Sequence, residues 1–127
     1  MKQIIPSTLY DSIKDTLQQA RTRAYRAANS SMILAYWEIG RLIVENEQAG
    51  QRKAAYGKAI IKELSTKLTW DFGPGFSEQG LRNYRQFFHT FPIRSALRRE
   101  LTWTHYRALI RVPNANARNY YLEEAAT

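Results

Sequence analysis

From Ser7 to Gly50 the sequence runs for more than forty residues without a proline or a pair of adjacent glycines. Those are the residues that interrupt helices, so little in this stretch opposes one continuous helix, roughly 60 Å long at 1.5 Å per residue. Within it Tyr10, Ile13, Leu17, Ala20, Ala24, Ala27, Ser31 and Leu34 recur at alternating steps of three and four. Such spacing makes an a/d seam of the kind that joins two helices, not the broader face that covers a core. A helix this long exceeds what a compact 127-residue monomer can cover. The seam through Ile13, Leu17, Ala20, Ala24, Ala27 and Leu34 is therefore expected to pack on a second copy and form a homodimer. Only Asn29, Ser30 and Ser31 weaken the stretch, and the other reading is a helical hairpin broken near Asn29 and folded on itself.

Further along the same run, Ile33, Tyr36, Trp37, Ile39, Gly40, Ile43 and Val44 occupy a wider arc than a two-helix seam needs, so this end is expected to face the rest of the domain. Gly50 is the predicted helix stop. A second helix is predicted from Lys53 to Asp71, with Tyr56, Ile60, Leu64 and Leu68 at four-residue steps, and with Lys58, Lys62 and Lys67 outside that stripe. The run Phe72-Gly73-Pro74-Gly75-Phe76 forces a tight turn. Ser77 then caps a third helix whose expected buried face is Leu81, Tyr84, Phe88 and Phe91. Pro92 closes it, a short piece spans 93 to 100, Thr102 caps a helix from Trp103 to Arg111, and a last helix runs from Ala115 toward Ala126. No segment alternates as a strand would. The predicted fold is all-α, one domain over residues 1–127, with a helical dimerisation element up to residue 50 and a helix-turn-helix part after it.

Charge points to the partner. The chain carries 19 Lys plus Arg against 11 Asp plus Glu, a formal +8. The first 50 residues hold 6 basic and 5 acidic groups, and the rest hold 13 and 6, so nearly all the excess lies in the second part. After Lys67 there is no lysine, but there are seven arginines from Arg82 to Arg111. Arginine is the side chain of planar phosphate contact. With 44% hydrophobic and 13% aromatic residues the composition is that of a folded domain, so an anion would meet a shaped surface and not a disordered basic tail.

Helix, glycine-containing turn, helix is the arrangement in which the second helix enters the major groove of DNA. On a helical wheel Gln79, Arg82, Asn83, Gln86 and Thr90 lie opposite the apolar face, with Arg85 and His89 on its flanks. Arginine can bond guanine bidentately, and asparagine or glutamine can bond adenine in the same way. Gln79, Arg82, Asn83 and Gln86 are thus the candidate reading residues, Ser77 and Arg85 belong to the same candidate DNA-binding set, and Lys58, Lys62, Lys67, Arg94, Arg98 and Arg99 are the candidate phosphate contacts. RNA or another anion, and a basic helical face that docks an acidic protein, are the competing readings.

Catalysis finds little to stand on. There is no cysteine, neither His89 nor His105 has a partner at metal-ligand spacing, and no lysine follows an acid by two positions as in a two-carboxylate nuclease site. No cofactor or metal is expected. Gly73, Gly75 and Gly80 fit neither phosphate-loop spacing. Trp103, Tyr106, Tyr120 and Tyr121 could stack on bases, but their helical spacing assigns them to a core. With no apolar run near the ~18 residues of a membrane span and no signal peptide, a cytoplasmic protein is expected.

Four stretches together resemble the N-terminal domain of the YhcG-type family: AYWEIGRLIVENEQ (35–48), YGKAIIKELSTKLTWDFGPGFSEQGLRNYRQFFHTFP (56–92), LTWTHYRALIRV (101–112) and ARNYYLEEA (117–125). In that family the domain precedes a PD-(D/E)XK nuclease domain. The resemblance implies a helical module that binds duplex or branched DNA, dimerises and delivers a C-terminal nuclease domain. It bears on the turn at Phe72 to Phe76, on Ser77, Leu81 and Arg82, and on the helix face from Tyr84 to Phe88. The sequence ends at Thr127 without a nuclease motif, so this chain is expected to be a domain or truncated product that is not itself an enzyme. The alternative function is a protein-interaction module that docks an acidic partner or the nuclease domain.

Overall fold

A computed structural model describes residue 4, residues 6–49 and residues 54–127. Among these described residues five α-helices follow one another: α1 (Ser7–Ala49), α2 (Ala54–Phe72), α3 (Glu78–Thr90), α4 (Trp103–Leu109) and α5 (Ala115–Ala126), with one 3-10 turn at Arg94–Ala96. Among the described residues there is no strand, so the all-α expectation holds. The predicted stop at Gly50, the start at Lys53 and the side chain of Tyr56 lie outside what is described.

The helix α1 is continuous through its polar middle, which settles the choice against a hairpin broken at Asn29. Asn29 does not cap a break, because its Nδ2 donates to the carbonyl of Leu101, 3.1 Å away, and so ties the helix to the later chain. At 43 residues α1 is about 64 Å long. Its two halves differ in kind. Every side chain from Ser7 to Ala28 is exposed, whereas Ile33, Trp37, Gly40, Ile43 and Val44 are buried.

The buried half of α1 packs on α3. The two run antiparallel there: Arg85 in the middle of α3 reaches Glu47, while the Phe91 carbonyl just past its end accepts a 2.7 Å bond from Trp37 Nε1, ten residues earlier on α1. The crossing is set by Gly40, where a Cβ would fall 2.1 Å from the Tyr84 carbonyl oxygen and 3.1 Å from Phe88 Cβ. Only a residue without a side chain lets the backbones come this close. The Tyr36 and Tyr84 rings stack beside it, 4.3 Å apart and 5° from parallel.

Two clusters fill the interior. Ile43, Ile61, Leu81 and Tyr84 join α1, α2 and α3, and Ile33, Trp37, Phe87, Leu101, Tyr106, Leu109 and Ile110 join α1, α3 and α4. Trp103 touches both, with its ring 5.4 Å from Tyr84 and 5.1 Å from Phe87. On α3 the wholly buried residues are Leu81, Tyr84 and Phe87, while Phe88 and Phe91 are half-buried. The expected face was Leu81, Tyr84, Phe88 and Phe91. It is rotated because Trp103 and Tyr106 of α4 cover the flank on which Phe87 lies.

Thr102 caps α4, and His105 completes the cap by accepting from the Thr102 N–H at Nδ1, 3.1 Å away. Tyr106 is buried and Trp103 half-buried, in line with a core role. Tyr120 and Tyr121 depart from it, 62% and 54% exposed, because α5 packs through Leu122, Ala125 and Ala126.

The crossing predicts that Gly40→Ala costs on the order of 3 kcal/mol, since neither contacting backbone can yield; a urea midpoint like that of the parent would contradict it. Burial, with the neighbouring Tyr36, raises the pKa of Tyr84, and burial raises that of Tyr106. Both hydroxyls stay protonated in the fold at a pH where an unfolded tyrosine, pKa about 10, has ionised. Their contribution is therefore complete below about pH 10 and falls as pH rises beyond it. Denaturation midpoints between pH 8 and 11 should drop at the alkaline end, less steeply for Tyr84→Phe.

Candidate nucleic-acid interface

The turn between α2 and α3 is built from two left-handed glycines, Gly73 at φ 82° and Gly75 at φ 108°, on either side of Pro74. A Cβ at either would meet nothing within 4 Å, so the need for glycine here is conformational and not steric. Ser77 is extended, and its Oγ accepts from the Gly80 N–H at 3.0 Å, a helix cap as the sequence predicts. The Tyr84 hydroxyl donates to the Gly75 carbonyl at 2.8 Å and fastens the turn to the body of α3. The start of α3 is thereby fixed from both sides.

Three of the candidate reading side chains, Gln79, Arg82 and Gln86, are exposed and Asn83 is half-buried. Gln79 Nε2 donates to Asn83 Oδ1 at 3.0 Å, and Gln86 Nε2 donates to the Thr90 hydroxyl at 3.2 Å. These four residues form a polar strip with its amides ordered along the helix. Arg82 makes no ion pair or hydrogen bond among the described residues. Arg85 differs, since its guanidinium lies 2.9 Å from Glu47 with both side chains largely covered. It links α3 to the end of α1.

The phosphate candidates divide into two places. Lys58, Lys62 and Lys67 are exposed on α2, with Lys67 3.2 Å from Glu63. Arg94, Arg98 and Arg99 lie beyond the far end of α3, where they line a groove against α1 together with Arg26. Their closeness in sequence to the third helix does not put them beside its first turns, because α3 is a rod that carries the chain along α1. Arg94 and Arg99 are exposed, while Arg98 pairs with Glu123 at 2.8 Å and Glu100 at 3.5 Å. Those carboxylates, Glu123 first, raise its pKa.

Sequence reasoning did not anticipate the Arg85 to Glu47 link, which joins residues 38 apart. It also passed over Trp70 and Phe72, 90% and 70% exposed at the end of α2 beside the turn. Trp70 was legible in principle, since it lies outside the stripe of Ile60, Leu64 and Leu68. Among the described residues no three His, Asp or Glu side chains are grouped to hold a metal ion, and no helix is long and apolar enough to cross a membrane.

The profile of the DUF1016 N-terminal domain matches residues 12–127. The chain is also 34% identical, over an alignment of 148 positions, to the protein named "Putative nuclease YhcG" of Escherichia coli (strain K12). That alignment covers 91% of this chain and 40% of the relative, so the chain spans well under half of the relative's length. No solved structure matches.

The Arg85 to Glu47 pair is expected to show coupling of about 1 kcal/mol, at the upper end for partly exposed pairs. In a urea-denaturation cycle, Arg85→Ala with Glu47→Ala should cost less than the two single changes added together. Strict additivity would remove its tethering role.

Proposed function

The chain belongs to the DUF1016 N-terminal domain family, and from that premise we propose that it is a DNA-binding and dimerising module serving a cytoplasmic nuclease of the YhcG type. In this reading α3 enters the major groove of duplex or branched DNA. The exposed half of α1 joins two copies through Ile13, Leu17, Ala20, Ala24, Ala27 and Leu34. Catalysis belongs to a C-terminal nuclease domain of the full-length protein, not to this helical part.

The observation that carries the reading is the outward strip of α3. A helix whose inner face is fully committed to the core offers only Gln79, Arg82, Asn83 and Gln86 along its outer middle. Its one acid, Glu78, sits in the first turn. A face selected only for solubility would favour lysine and glutamate. This one carries the side chains that match base edges, and Arg82 is free to extend. Ser77 aims the helix N-terminus, whose partial positive charge favours a phosphate. Lys58, Lys62, Lys67, Arg94 and Arg99 supply further phosphate contacts. Arg85 and Arg98 act first as internal ties and reach DNA only by releasing their carboxylates.

Trp70 and Phe72 favour a second reading. Two exposed aromatic rings beside the turn are more than solubility allows without a purpose, and they suit a protein surface such as the nuclease domain or an acidic partner.

Fluorescence polarisation with duplex, branched and single-stranded DNA, with heparin as a nonspecific polyanion, separates these readings. Arg82→Ala should weaken duplex binding by roughly tenfold or more, in keeping with the 1–3 kcal/mol of a bidentate base contact, while leaving the melting temperature unchanged. Affinity should also fall with salt by roughly 0.9 log unit per phosphate contact per decade. Equal binding of heparin and every DNA, untouched by Arg82→Ala, would leave only a charged surface. Loss of nuclease-domain binding on Trp70→Ala would support the second reading.

A further inference from the structure

We infer that two copies of this chain pair antiparallel through the exposed half of α1, in a single register that sets Tyr10 of each copy against Ala27 of the other. The inference rests on the dimer reading above and adds direction, register and end point. From Ser7 to Ala28 no side chain of α1 is covered, yet Tyr10, Ile13 and Leu17 hold an apolar stripe 52% to 56% exposed. A stripe of this kind left in water marks a packing surface.

Its composition along the helix selects the occupant. The seam is large at one end, with Tyr10, Ile13 and Leu17, and small at the other, with Ala20, Ala24 and Ala27. In a parallel pair each residue meets its own copy, so three wide layers stack on three narrow ones and the helices must splay. In an antiparallel pair centred between residues 18 and 19, Tyr10 meets Ala27, Ile13 meets Ala24 and Leu17 meets Ala20. Every layer then holds one large and one small side chain, and each a position faces a d position. No other partner is complementary to this face by construction, as a second copy is.

Charge points the same way. Arg21, Arg23 and Arg26 crowd one end of the stretch with no acid among them, while Asp11 and Asp15 flank Lys14 at the other. A parallel pair brings six arginines to one level. An antiparallel pair separates them into two groups of three. The like-charged neighbours that result, Lys14 beside Arg21, lie at an exposed edge where solvent screens them.

The register also explains the groove. Ala27, Ser31 and Leu34 continue the seam and line the groove on the α1 side, opposite Leu97 and Ala126. With Tyr10 against Ala27, the first turn of the other copy's α1, from Ser7, arrives at that groove. The overlap then runs from residue 7 to residue 30 of each chain, between six and seven turns at about 3.6 residues per turn. A specific interface needs about 1,000 Å² in total, more than a two-turn contact could bury.

The chain has no cysteine, so introduced thiols are unique reporters. Light scattering of the parent chain is expected to give twice its 14.8 kDa. A monomer at all concentrations would overturn the dimer reading and this inference with it. Given a dimer, mild oxidation should convert most of the Tyr10→Cys/Ala27→Cys double variant to a covalent dimer, and likewise a mixture of the two single variants, while neither single variant links to itself. Leu17→Cys/Ala20→Cys, nearest the two-fold axis, should link in the same way and guards against loss of pairing when Tyr10 is removed. Self-linking of Tyr10→Cys and of Ala27→Cys would establish a parallel pair, overturning the register and leaving the dimer intact. A dimer in which neither double variant links would overturn the register as well.

Discussion

The passage of α3 across Gly40 is the contact on which the rest of the structure depends. The Tyr84 carbonyl occupies the space where any side chain at position 40 would stand. That single approach sets how closely α1 and α3 lie, and the aromatic residues around it follow from the distance. Tyr36 can stack on Tyr84 only because the backbones are near, and Trp103 can bridge to both rings only because they present one joint surface. The Tyr84 hydroxyl then holds the Gly75 carbonyl, so the close crossing reaches the turn and fixes where α3 begins. The polar strip of Gln79, Arg82, Asn83 and Gln86 is aimed by that chain of contacts and not by any interaction of its own.

The long helix is two devices in one rod. From Ile33 onward it is a core helix, wide in its apolar arc and covered by α2, α3 and α4. Before Asn29 it is an uncovered seam two residues wide. Helical continuity couples the two mechanically, because a rod with no break transmits the position of one half to the other. A partner on the exposed half would therefore set where the rest of the domain sits relative to a second one. Asn29, at the boundary, contributes through its bond to Leu101, which clamps the rod to the domain where the core begins.

Electrostatics divides in a similar way between structure and availability. Arg41, Arg85 and Arg98 have carboxylate partners that hold helices to themselves or to one another, whereas Arg82 extends from the surface without one among the described residues. The net positive charge of the chain overstates what an anion would meet first. What matters is which cations remain unneutralised, and that depends on residues such as Glu47 and Glu123 that are far off in sequence.

The sequence by itself determined much of this protein. The absence of helix breakers from Ser7 onward made α1 long, the seam spacing marked its first half as unlike its second, and Gly73-Pro74-Gly75 with Ser77 placed the turn and the cap. These are local effects, governed by backbone freedom and by groups within four residues of one another, so they can be read along the chain. Only the tertiary structure decided the rest. It decided that Phe87 and not Phe88 is fully buried, because α4 covers that flank, and that Tyr120 and Tyr121 face water. It paired Arg85 with Glu47 and Arg98 with Glu123, and it carried Arg94 and Arg99 away from the first turns of α3 into a groove with Arg26. Each of those outcomes depends on the angle and closeness at which helices cross, and that depends on contacts such as Gly40 with Tyr84 between residues more than forty positions apart. No periodicity within a single helix encodes such a distance.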